Sequence, residues 1–167
     1  MTGSFNFLLH LLGFGFLVTA LLGGWMIERR SRREKDLTFK RILLRAGRAI
    51  GLLSPIAAII LLVTGIINIV SVYPTNPMIW HSQGWLMAKV ILFAFMVVNG
   101  VVFGPIISRR RSRLVDTMIA GQAPEGSAQT LRVLEKNLTT YYLVQTLLLL
   151  LILFLSIFGS GKHPGLF

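Results

Sequence analysis

Two residues in this sequence stand where chemistry could be done, His10 and Lys89. Each lies five residues into a long apolar stretch, His10 after Phe5 and Lys89 after Gly84. A lysine at the centre of a membrane span costs at least roughly 2.5 kcal/mol and marks a functional site by default. Five helical residues correspond to roughly 7–8 Å of depth. The simple alternative is that a lysine this shallow reaches the surface along its own aliphatic stem. A neutral imidazole is a ligand for iron, copper or zinc. A buried lysine can act as a base or ligand, and a charged one can pair with a carboxylate of a bound molecule.

Other residues belong to the same level. Asn68 falls near the same end of the second apolar stretch and Ser156 near that of the fourth. If the polar stripes face inward, one cavity gathers His10, Lys89, Asn68 and Ser156 as a binding set. His81 lies two turns before Lys89, so His10 and His81 form the candidate metal pair; His163 follows in the tail. Three histidines with no fixed spacing are a weak metal signature. For Asn68, Asn99 and Gln145 the plain alternative is hydrogen bonding between helices.

The elements that must position these residues follow from composition. Of the 167 residues, 54% are hydrophobic and 14% charged, against about 25% charged in a soluble domain. Mean hydropathy is +0.72. The charge is concentrated between four apolar stretches, each near the roughly 20 residues a bilayer crossing needs. We place spans at about 5–27, 50–72, 84–107 and 141–158. Backbone groups in lipid must be paired within the segment, so the spans are helices. Residues 1–5 carry no Lys or Arg, so no cleavable signal is expected.

Nine Lys or Arg residues fall in segment 28–49 and six in segment 108–140, while 73–83 and the N-terminus have none and only Lys162 lies near the C-terminus. The positive-inside rule then puts both basic loops in the cytoplasm and both termini outside. Trp80 and Trp85 fit the outer interface, and Trp25, Tyr141 and Tyr142 the inner one. The net charge of +11 therefore reads as attraction to anionic headgroups, not to nucleic acid.

Within the basic segments, Asp36 or Thr38 can cap a helix that continues into the second span. Pro105 can kink the third, Gly121 can stop it, and Ser127 can cap the helix leading into the fourth. Small and polar residues recur along each span: His10, Gly13, Ala20 and Gly24; Ala57, Thr64 and Asn68; Lys89, Met96 and Asn99; Tyr142, Gln145 and Ser156. Such stripes pack helices in lipid. The expected fold is an all-α membrane protein, a single domain over 1–167 forming an antiparallel four-transmembrane-helix bundle.

The chain has no cysteine, which excludes thiolate metal and iron–sulfur ligation. All six acidic residues fall outside the spans, which argues against a carboxylate proton relay. No nucleotide loop, zincin motif or nucleophile elbow occurs.

Three passages resemble a superfamily of small bacterial membrane proteins that includes HemJ-type protoporphyrinogen oxidases and the CopD-type copper-resistance domain. They are Leu8-Leu9-His10-Leu11-Leu12-Gly13, the segment 55–65, and Gly84-Trp85-Leu86-Met87-Ala88-Lys89, which is similar to the Trp-Leu-x-x-Lys pattern of HemJ. The Lys162-His163-Pro164 ending is loosely similar to that family's close. The resemblance implies that His10 and Lys89 are the haem-associated pair. The sequence departs from the pattern at Gly23-Gly24-Trp25-Met26, and Asn99 stands where a third-span histidine is expected. What the resemblance implies is therefore binding of haem b or a porphyrin, with an oxidoreductase role left open. Two other readings follow from the same residues. The chain could be a non-catalytic accessory or assembly subunit, partnered by other membrane subunits or by its own copies. Or it could handle copper or a small solute through His10, His81 or Met87.

Overall fold

A computed structural model of the chain describes residues 2–72 and 83–158. Trp80, His81, Lys162, His163 and Pro164 lie outside them. The described residues form α1 (Thr2–Arg33), α2 (Leu37–Gly51), α3 (Leu53–Val72), α4 (Gly84–Val98), a π-helical turn (Asn99–Phe103), α5 (Gly104–Ile119) and α6 (Ser127–Phe158). No strand occurs among them. Four helical units, Gly3–Arg33, Leu37–Ser71, Gly84–Ile119 and Ser127–Phe158, are long and apolar enough to cross a membrane. The chain is thus built as a multi-pass membrane protein.

Local sequence explains the breaks. The Asp36 carboxylate accepts from the Thr38 amide at 2.8 Å and starts α2, as its position suggested. Leu52 interrupts α2 and α3 three residues before Pro55, whose ring nitrogen cannot donate to the Gly51 carbonyl. Pro105 acts likewise in the third unit. It cannot donate to Val101, and the helix widens just before it, the Gly104 amide reaching back five residues to Asn99. Gly121, at φ 70°, ends α5. Ser127 opens α6, but not as the expected cap: its hydroxyl donates to the Pro124 carbonyl at 2.6 Å. The basic segments 28–49 and 108–140 are mostly helix, continuous with the apolar units they flank.

The apolar core is Leu17, Ala57, Leu61, Met96 and Leu149, drawn from α1, α3, α4 and α6. Close approach depends on glycine at two places. A Cβ on Gly24 would stand 2.6 Å from the Tyr142 hydroxyl oxygen, and one on Gly104 would stand 2.8 Å from the Tyr141 ring. The two tyrosines of α6 thus press their hydroxyl ends against α1 and the start of α5.

At the basic end lies a second core, and it is ionic. The Arg111 guanidinium of α5 is fully buried. It pairs with Glu28 of α1, donates to the Ser31 hydroxyl at 2.9 Å, and reaches Glu135 of α6 at 3.1 Å. Lys40 of α2, also buried, binds the same Glu135 carboxylate at 3.0 Å. Arg32 completes the group, 3.3 Å from Glu28 and bonded to the Glu135 carbonyl at 2.6 Å. Arg111 and Lys40 therefore do not face lipid headgroups as their neighbours' charge pattern suggested. Each finds a carboxylate, the condition under which a cation can be buried. Beside the cluster, Leu44, Val115 and Leu131 form a small apolar core.

Removing one member of such a cluster strands its partners, which costs about 3–5 kcal/mol. Arg111→Leu is expected to lower stability by that amount in thermal unfolding of the detergent-solubilised protein. Arg111→Lys should restore little, because an ammonium cannot span two carboxylates as a forked guanidinium does. Arg30→Leu, at a side chain 67% exposed, should stay within about 0.5 kcal/mol of the parent.

Candidate functional site

At the other end of α1 a different polar group forms. Asn6 and His10 are one turn apart on α1, and Thr64 and Asn68 are one turn apart on α3. Four-residue spacing puts each pair on one helix face. The two faces meet. The Asn6 amide donates to the Asn68 side-chain oxygen at 2.5 Å and to the Thr64 carbonyl at 3.3 Å. His10 Nδ1 lies 2.7 Å from the Thr64 hydroxyl oxygen. Asn6 and Thr64 are buried, while His10 and Asn68 are half-buried.

This contact fixes the imidazole chemically as well as in space. The Thr64 hydroxyl lies 2.6 Å from the Ile60 carbonyl of its own helix. It has one hydrogen to give, and that carbonyl takes it. The Thr64 oxygen is then left to accept from His10, an assignment that puts the ring proton on Nδ1. Nε2 keeps its lone pair. A ring held through one nitrogen with the other free is how proteins present a histidine to a metal centre.

Lys89 enters from the second turn of α4. It is half-buried, and its charge is close enough to act on the His10 ring. No hydrogen bond or ion pair ties its ammonium to another described residue. At the start of the same helix, the Trp85 indole donates to the Gln83 side-chain oxygen at 3.1 Å.

Of the residues singled out from the sequence, the structure brings His10 and Asn68 into one hydrogen-bonded group and Lys89 into its electrostatic range. Ser156 does not join them. Its hydroxyl donates to the Ile152 carbonyl of α6 at 2.7 Å, the back-bonding usual for serine within a helix. His81 lies outside the described residues. Asn6 and Thr64 complete the group, and Asn6 was not foreseen. Its signal was present: an amide one turn before His10 in an otherwise apolar run. Gln145 does bond between helices, donating to the Met96 carbonyl at 3.1 Å.

A cavity lies elsewhere. It holds about 330 Å³ and sits toward the basic end, lined by residues such as Leu17, Gly24, Gln145 and Arg111. None of His10, Lys89, Asn68 or Ser156 lines it. Neither a known family model, nor a curated protein, nor a solved structure matches the chain.

The tautomer can be measured directly. With the ring nitrogens labelled by ¹⁵N, His10 is expected to carry its proton on Nδ1 at neutral pH. Thr64→Val removes the acceptor and should mix the tautomers, while Thr64→Ser should keep the parent pattern. A predominantly Nε2-protonated ring in the unaltered protein would contradict the arrangement.

Proposed function

We propose that this chain is a bacterial inner-membrane protein that binds haem b or a closely related porphyrin, with His10 Nε2 as the donor that would hold it. The four apolar units form an antiparallel bundle in this reading. The basic end faces the cytoplasm and both termini face the periplasm, following the positive-inside rule. The site then lies in the outer leaflet.

One observation carries the reading: the imidazole anchored through Nδ1 to Thr64 with Nε2 left free. Haem suits that donor. A porphyrin brings four nitrogens of its own and asks the protein for one or two axial ligands, most often histidine. A bare metal ion asks for three or four side chains, and no three His, Asp or Glu side chains gather among the described residues. The remaining groups have roles of the right kind. Lys89 supplies a positive charge for a propionate. Asn6 and Asn68 hold α1 and α3 in register so that Thr64 stays under the ring. The exposed apolar side chains of Phe7, Leu11 and Leu12 offer greasy surface at that end. Haem would supply one-electron redox chemistry when bound. This chain's own part is to bind it, set its axial field and neutralise a carboxylate.

The test is optical. Protein produced with haem supplied and gently solubilised should carry a Soret band. His10→Ala should abolish it, and Lys89→Met should weaken haem retention at least several-fold. Absence of the band after haem titration, or a band unchanged by His10→Ala, would refute the assignment.

A further inference from the structure

The cavity of about 330 Å³ at the basic end takes no part in the site just described. Its volume falls at the lower end of ligand pockets, about 300–1,000 Å³. Two helical units border it, and both are broken there. Gly51 and Leu52, at the α2–α3 break, stand on one side. Val101, in the π turn, stands on the other. Leu52 is 63% exposed and Val101 54% exposed, so the cavity's lining includes surface residues of both elements. That surface belongs to the part of the chain that faces lipid. The opening is therefore lateral.

The rim is positive. Arg48 and Arg109 both line the cavity and both are exposed. Arg48 bonds only the neutral Ser112 hydroxyl, at 3.2 Å. Arg109 has no ion-pair or hydrogen-bond partner among the described residues. The contrast with Arg111, two residues on and saturated by carboxylates, is direct. Arg48 stands just before the second apolar stretch and Arg109 just after the third, the level at which phosphate headgroups lie. Behind the rim the walls are mostly apolar.

We infer that this cavity is a binding site for one anionic phospholipid, with an acyl chain entering between Leu52 and Val101 and the headgroup phosphate held by Arg48 and Arg109. Guanidinium forks match phosphate oxygens, and apolar walls match the chain. The inference rests on the multi-pass membrane character of the chain and not on haem binding.

Thermal unfolding in mixed micelles tests it, with lipid retention read by mass spectrometry. Phosphatidylglycerol is expected to raise the melting temperature by several degrees more than phosphatidylcholine of the same chain length, and to co-purify at about one per chain. Arg48→Gln with Arg109→Gln, both at exposed positions, should erase the difference between the two lipids. Gly51→Phe should reduce the retained lipid several-fold; a Cβ at Gly51 meets nothing within 4 Å, so the fold has room for it. Equal shifts from both lipids would overturn the inference. So would an unchanged preference in the double glutamine variant, or full retention in Gly51→Phe. A matching shift from glycerol phosphate alone would also overturn it, by making the site one for a free anion. A failed Soret test leaves all these outcomes unaffected.

Discussion

Arg111 carries its guanidinium to a point no solvent reaches, between Glu28 and Ser31 of α1 and Glu135 of α6. In lipid, an apolar helix face gains little by exchanging acyl chains for another apolar face. Helix contacts there rest on close packing and on polar bonds. Polar bonds are the more selective of the two, because a misplaced charge costs more than a misplaced methyl. Each of the four apolar units contributes to this cluster: Glu28, Ser31 and Arg32 from the first, then Lys40, Arg111 and Glu135. Sliding α6 by one turn, roughly 5.4 Å, would take Glu135 away from both of its cations. Three positive side chains would then share Glu28. The register of the bundle follows from that penalty.

From this end α1 runs about 27 Å back to His10 at 1.5 Å per residue, close to the roughly 30 Å of a hydrocarbon core. Asn6 and His10 fasten it there to Thr64 and Asn68 of α3. Between the two polar groups the contact is apolar: Leu17 against Ala57 and Leu61. α1 is thus pinned at both edges of an apolar slab and packed by shape in the middle. The imidazole and the buried carboxylates are separate sites, divided by a core of Leu17, Ala57, Leu61 and Met96 that carries no side-chain proton acceptor.

Much of this architecture was legible in the sequence because the signals were local. Apolar runs marked the four helices, Asp36 marked the start of α2, and Gly121 marked the end of α5. Pro105 marked a distortion, though not that it would take the form of a π turn ending two residues earlier. The ion cluster was hidden for a physical reason. A cation count sets orientation but treats every Lys and Arg alike, and cannot tell Arg111, sealed in protein, from Arg109, which is not. The readable clue was Glu28, a carboxylate immediately after an apolar run, which cannot stay there without a cation. Of the expected binding set, His10 and Asn68 fall in one hydrogen-bonded group because both lie on the facing stripes of α1 and α3. Ser156 could not be judged from helix phase, since a serine in a helix can satisfy itself on its own backbone.

The cavity and the ion cluster are parts of one construction. Glu28 and Arg111 belong to the cavity wall, and Tyr141 and Tyr142 stand beside them against Gly104 and Gly24. These groups act as spacers. A guanidinium fixed by carboxylates and a tyrosine seated on a glycine cannot be compressed further, so the neighbouring helices stay apart where a row of leucines would let them close. A lasting void of about 330 Å³ in an apolar interior would cost about 8 kcal/mol at roughly 24 cal/mol per Å³, comparable with the whole stability of an ordinary domain. A cavity open sideways to the bilayer does not remain a void. Acyl chain fills it at little expense, and the helix breaks at Leu52 and Asn99–Phe103 give the opening its width. The same ionic contacts that set the helix register thus also set the size of the opening to lipid.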